Sequence, residues 1–253
     1  MSIWVLRGLR EGVVTTRWPR RADEYADTWC GPATVRAGAA APPEAATRCP
    51  TGAIEVTDQV RLDQGKCILC GRCVAEWPDA FAWSAGATGR GAAALARQAL
   101  VVPEAPETDE AIAAARTALA ERTAALRRSI HIRHVDAGSD GSEEWEIQAL
   151  LGPIYDVGRL GIFFTASPRH ADVLLVTGAG TAGMAGPLRT TYEGMPDPKV
   201  VIAVGTDAVS GGLLGEQLTG VSAAVPVDIW VPGSPPSPFG IVKALLVAAG
   251  RLS

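Results

Sequence analysis

The chain has 253 residues, a length that favours one large or two ordinary domains. Hydrophobic residues make up 47%, enough for a sizeable core, and the net charge of −4 gives no reason to expect nucleic acid or an anionic membrane surface as a partner. No apolar run approaches the ~18 residues of a membrane-spanning helix. The longest candidate, GIVKALLVAAG at 240–250, is short and carries Lys243, so no direct membrane span is expected.

Taken in chain order, the N-terminal MSIWVLRGLREG lacks the long apolar core and A-x-A site of a secretory signal, which predicts a cytoplasmic chain. Residues 1–103 read as one irregular domain rich in Pro, Gly and Ala, with short strands at AIEV (53–56) and AFAW (80–83). PETDEAIAAARTALAERTAALRR (106–128) predicts a helix. Thr108 is its expected cap, acids fill its first turn and arginines its last, which suits the helix dipole. Residues 104–128 are taken as a helical connector between domains.

From 129 to 253 the pattern changes. SIHIRHV (129–135), ADVLLVTG (171–178), KVVIAVGT (199–206) and VDIWVPG (227–233) are short β-branched runs separated by segments of helical length. Such alternation predicts an α/β domain with a doubly wound parallel sheet and helices on both faces. Sites in these sheets form on loops after the C-terminal strand ends, here 136–145, 178–184, 205–212 and 232–238. GAGTAG (178–183) is not G-x-G-x-x-G and reads as a tight turn; GIFFTASP (161–168) reads as core or interface, and VPGSPPSP (231–238) as a rigid loop.

The five cysteines are Cys30, Cys49, Cys67, Cys70 and Cys73. An odd count in an unexported chain argues against a disulfide framework. Cys67, Cys70 and Cys73 have the C-x2-C-x2-C spacing of a bacterial iron–sulfur run, but the slot before Pro78, where a fourth cysteine belongs, is Trp77. In two-cluster ferredoxins the fourth cysteine of each run serves the other cluster, and Cys49-Pro50 fits that role. Counting back from Cys49 by the same spacing gives Ala45, Pro42 and Ala39. One set thus survives whole: Cys49, Cys67, Cys70 and Cys73. The other, at 39, 42, 45 and 77, is wholly gone. Four thiolates suit one 4Fe-4S cluster, and a structural zinc remains the alternative. Cys30 is expected to be a spare thiol, and Trp77 to fill the volume of the lost cluster.

RCPTGAIEV, LDQGKCILCGRC and ARQAL make the N-terminal part similar to the ferredoxin-like subunits of formate hydrogenlyase and other complex I-related assemblies. HVDAGS (134–139), GPIYDVGRLGIFFTASPRHADVLLVTG (152–178), YEGMPDPKVVIAVG (192–205) and VPVDIWVPGSPPSP (225–238) make the C-terminal part resemble a second subunit of the same assemblies. This is the small subunit of energy-converting nickel–iron hydrogenases, similar to the B (20 kDa) subunit of complex I. The resemblance implies a fusion of the two. The implied fold is a bacterial ferredoxin-like (α+β) domain followed by a flavodoxin-like α/β domain. That small subunit holds a proximal 4Fe-4S cluster on four strand-end cysteines. Here Asp140, Glu143, Asp207 and Ser234 stand in those slots, and no cysteine follows residue 73. The C-terminal domain is therefore expected to hold no cluster.

If the backbone is kept, Asp140, Glu143 and Asp207 converge, and packed like charges cannot all stay ionised without a partner. They are then hydrated, paired with Arg169 or His170, or bound to a hard divalent cation. His131, His134 and His170, the only histidines, read mainly as packing or hydrogen-bonding groups. No nucleophile–base pair is visible, so the chain is not expected to be catalytic alone. The resemblance implies an electron-transfer subunit with one 4Fe-4S cluster and an interrupted proximal relay. Its partners are a hydrogenase- or complex I-like large subunit and membrane subunits on the cytoplasmic side of the inner membrane. The alternative is a structural or coupling subunit in which the cluster only staples the N-terminal domain.

Overall fold

The computed structural model describes residues 3–86, 92–126, 129–215 and 217–252. The last two residues of the expected connector, 127 and 128, lie outside the described residues. Two short helices, α1 (Ile3–Glu11) and α2 (Glu24–Thr28), lead into the first small domain. It continues through β1 (Cys30–Val35), α3 (Glu44–Arg48), β2 (Ile54–Val56), β3 (Val60–Asp63), α4 (Arg72–Glu76), β4 (Phe81–Ala85) and β5 (Val101–Val102). β1 pairs antiparallel with β4, and β3 lies between β2 and β5, also antiparallel. Ala33, Ile54, Val60, Leu62, Ala80 and Phe81 fill its core. This is the expected ferredoxin-like arrangement. AIEV and AFAW supply β2 and β4, while β1 and β3 are additional.

The two halves of this domain repeat one local plan. α3 and α4 are both five-residue helices; Ala45 is the second residue of one and Cys73 of the other. Cys49 caps the C-terminus of α3 and Trp77 that of α4, each through its own backbone N–H. Arg48 and Glu76, the last residues of the two helices, form a bridging ion pair at 3.2 Å. Ala39, Ala45 and Trp77, three of the four vanished-ligand positions, pack into the apolar cluster of the domain. Side-chain volume thus stands at three of the four positions where the second set of thiols is missing.

The connector helix α5 (Pro106–Arg122) follows. Its cap is Ala105 and not Thr108, which lies one turn inside and donates its N–H to the Ala105 carbonyl. Proline in the first turn, whose fixed φ suits a helix start, sets the earlier boundary.

The second domain runs β6 (Ile130–Asp136), α6 (Ser142–Ala149), β7 (Ile162–Phe164), β8 (Val173–Thr177), α7 (Ala182–Glu193), β9 (Val200–Val204), α8 (Thr206–Ser210), β10 (Ile229–Val231) and α9 (Pro238–Ala248). All neighbours are parallel, in the order β10-β9-β8-β6-β7. Counted within the domain this is 2-1-3-4-5, the flavodoxin-like order. Every residue of β8, β9 and β10 is buried, which is why these strands read as continuous apolar runs. GIFFTASP contributes the edge strand β7. GIVKALLVAAG belongs to α9, which is nearly all buried from Pro238 to Ala248. Among the described residues no helix is long and apolar enough to cross a membrane.

Strand order reverses between β6 and β8, so the loops after these two strands diverge around a crevice. At Gly178 (φ +80°), a Cβ would stand 2.6 Å from the backbone of Gly138 and Ser139, so only glycine lets the two loops approach this closely.

The two domains are joined by hydrogen bonds as well as by the chain. Ala94 and Trp230 exchange both backbone hydrogen bonds at 2.8 Å, extending the sheet beside β10. The N-terminal segment also packs on the second domain: the Trp18 ring meets Phe239 edge-on at 5.7 Å, and Arg159 donates to the Trp18 carbonyl at 2.7 Å.

Candidate metal centre

The turn that presents the first cysteine is built from its flanks. Asp63 ends β3 and accepts the Gly65 N–H at 2.9 Å, starting a single 3-10 turn over Gln64–Lys66. Arg97 grips the same carboxylate with two bonds, at 2.8 and 2.7 Å. Gln64 is buried and donates to the Ala33 carbonyl at 3.1 Å. Thr51 donates to the Lys66 carbonyl at 2.6 Å, drawing the Cys49-Pro50-Thr51 segment against Cys67. Both partners of the Asp63–Arg97 pair are more than two-thirds buried. Arg97→Met strands the carboxylate, and is expected to cost about 2 kcal/mol in a urea unfolding measurement.

The four cysteines face one another. The Cys67 thiol is pushed above its ordinary value by burial first, with Cys49 and Cys70 as like-charged neighbours. Cys73 is pushed up to about 11, again by burial first, and Cys67, Cys49 and Cys70 add to it. Backbone N–H groups oppose these shifts, those of Ala33 and Leu69 at Cys67 and that of Val74 at Cys73. Ala33 donates to Cys67 Sγ at 3.5 Å, and Ala53 donates to Cys49 Sγ at 3.2 Å. Ala45, Cys49, Cys70, Cys73 and Trp77 line a small cavity of about 20 Å³. Cys30 is exposed and is not among the charges felt by Cys67 or Cys73. Among the described residues no three His, Cys, Asp or Glu side chains are close enough to share a single metal ion. The donor chemistry fits an iron–sulfur cluster. Thiols that burial keeps protonated when empty become thiolates on binding, and backbone N–H groups already point at two of the sulfurs.

This centre abuts the second domain. Thr206, fully buried at the start of α8, donates its hydroxyl to the Cys67 carbonyl at 2.9 Å and accepts the Gly233 N–H at 3.2 Å. One side chain therefore ties the cysteine loop to the loops after β9 and β10.

At the same end of the sheet the structure brings together Asp140, from the loop after β6, Glu143 at the start of α6 and Asp207 at the start of α8. Glu143 is fully buried, lies flat over Gly205 and is raised to about 7, by burial first, with Asp207 and Asp140 adding to it. Asp207 is raised by burial, then by Asp140 and Glu144. Asp140 is exposed and lowered, because the Ser142 hydroxyl and N–H both donate to it, at 2.7 and 2.9 Å. Ser234 is half-buried on the last loop, and among the described residues no hydrogen bond joins it to the three acids. Nor does any ion pair link the acids to Arg169 or His170. Those two lie in the turn just before β8, at the opposite end of the sheet from the acidic loops.

Glu144 is the acid that sequence reading missed. It accepts from the Thr177 hydroxyl and, at 2.9 Å, from that of Ser139. His134 Nε2 lies 3.0 Å from the same Thr177 oxygen and 3.7 Å from Glu144. Because the Thr177 proton goes to Glu144, His134 must donate from Nε2, which fits a neutral imidazole. Burial lowers its pKa. No motif announces this trio; only the parallel register of β6 and β8 brings His134 beside Thr177.

Residues 141–248 match the family described as NADH ubiquinone oxidoreductase, 20 Kd subunit, and residues 60–121 match the 4Fe-4S single cluster domain. The probable membrane-bound hydrogenase subunit mbhJ of Pyrococcus furiosus is 39% identical over 131 residues, 51% of this chain and 78% of the relative. The chain belongs to the 20 kDa subunit family. Formate hydrogenlyase subunit 7 of Escherichia coli is 37% identical over 159 residues, 62% of this chain. NAD(P)H-quinone oxidoreductase subunit K of Picosynechococcus is 41% identical over 112 residues, 43% of this chain. The chain spans 61% of the former relative and 46% of the latter. The 4Fe-4S match contains Cys67, Cys70 and Cys73 but starts after Cys49.

Proposed function

We propose that the chain is a non-catalytic electron-transfer subunit of a complex I-like or hydrogenase-related membrane complex. It carries one 4Fe-4S cluster on Cys49, Cys67, Cys70 and Cys73, and no proximal cluster. The convergence of these four thiols, and not Cys30, in one site, with Cys49, Cys67 and Cys73 half-buried and Cys70 at its exposed edge, carries the reading. A bound cube supplies one-electron exchange, and the chain's own residues hold and orient it. Cys49 is the upstream ligand because no cysteine follows Cys73 and Cys30 stands apart.

The partners are a hydrogenase- or complex I-like large subunit and membrane subunits. They hold the chain peripherally on the cytoplasmic side of the inner membrane. Exposed Trp145, Leu151 and Ile154, on α6 and in the segment just after it, support a covered face there. With Asp140, Glu143, Asp207 and Ser234 in the proximal slots, electrons leave the cube by another route. Iron and acid-labile sulfide at about four each per chain, with a cluster reducible at physiological potential, is the expected result. One equivalent of zinc without sulfide overturns it.

A second reading has its own support. Cys49, Cys67 and Cys73 are packed into the apolar cluster of the first domain, so a bound cube also staples that small core. A cluster that stays redox-inert across the physiological range would select this structural role.

A further inference from the structure

The acidic loops contain a hydrogen-bonding conflict. Ser142 has one hydroxyl proton, yet its Oγ lies 2.7 Å from Asp140 Oδ1 and 3.1 Å from Glu143 Oε2. The shorter bond goes to the exposed carboxylate, which is held below its ordinary range and so is an acceptor only. The contact with Glu143 is then a hydrogen bond only if Glu143 supplies the proton. The other oxygen of this fully buried side chain, Oε1, has no hydrogen-bond partner at all. The backbone N–H of Glu143 itself favours the ionised form, but burial outweighs it. An ionised carboxylate buried with one oxygen bare, and with no undivided hydroxyl proton for the other, is disfavoured.

We propose that Glu143 is a proton-binding site, holding a carboxyl proton on Oε2 that it donates to Ser142 Oγ. The charges facing it come from two places: Asp207 from α8 and Asp140 from the loop that leads into α6. Asp207 in turn senses Asp140 and Glu144, and Glu144 meets the neutral His134 of β6 through Thr177. Every charged group in this set is a carboxylate, so a proton is the ligand that relieves them. The same residues do not close around a metal ion. The proton is exchangeable near neutral pH, since burial and Asp207 raise the group to about 7. The site stands whether or not the cysteines carry a cluster.

The test is pH-difference infrared spectroscopy on the full chain, purified anaerobically. Between mildly acidic and mildly alkaline buffer, one carboxylic C=O band should disappear in the wild type. It should be absent throughout in Glu143→Gln, with one proton fewer released per chain in a parallel potentiometric titration. Asp207→Asn removes a like charge and should move the band's midpoint to lower pH. An unchanged band in Glu143→Gln overturns the proposal. Should that variant not fold, an unchanged midpoint in Asp207→Asn overturns it equally.

Discussion

Cys49→Ser is expected to take iron and acid-labile sulfide from about four each per chain to nearly none. The effect should equal that of Cys67→Ser, although Cys49 lies outside the segment that matches the 4Fe-4S domain. The reason is local geometry. Cys49 caps α3, and its sulfur accepts the Ala53 N–H. The Thr51–Lys66 bond holds its segment against the turn that presents Cys67. The loss should reach beyond the cluster. Cys49, Cys67 and Cys73 line the apolar core with Trp77 and Val74, so the emptied site leaves half-buried thiols within that core. The first domain should then melt earlier than the second in calorimetry. Cys30→Ser is the control and should keep its iron. The opposite pattern, with iron retained in Cys49→Ser and lost in Cys30→Ser, would move the fourth ligand to β1.

What the sequence announces, and what it hides, follows from burial. β8, β9 and β10 are legible because they are buried on both faces and must be apolar throughout. β1 is not: CGPATV contains a glycine and a proline, and it becomes a strand through pairing with β4. β7 escapes because three residues carry no period. The cysteine set is legible because ligand spacing is local chemistry, and the lone Cys-Pro upstream then has one role left. The convergence of Asp140, Glu143 and Asp207 is readable from their strand-end positions. Their partners are not, since Glu144, Thr177 and His134 meet through strand register and not through any motif. Arg169 is near a strand end in sequence, but it is the wrong end: it precedes β8, where the acids follow their strands.

Glu143→Gln is expected to make the chain more stable at pH 8 by about 3 kcal/mol, and to leave it nearly unchanged at pH 4.5. Burial raises this carboxyl from its ordinary 4.5 to about 7, so over that window the folded chain holds a proton that the unfolded chain has released. Stability therefore falls as pH rises from 4.5 to 7, and the loss persists above 7. At about 1.4 kcal/mol per pH unit, the interval gives the stated magnitude. Glutamine keeps the shape and has no proton to lose, so its profile lacks this fall. Asp207 is raised as well and adds a smaller decline of the same sign, which Glu143→Gln should leave in part. Asp140 is lowered and acts oppositely: its contribution is present above its ordinary value and is lost in acid. Urea unfolding of both chains at a series of pH values measures the difference directly. Parallel profiles, offset by a constant, would mean that Glu143 titrates alike folded and unfolded, and that its burial is relieved by something other than a proton.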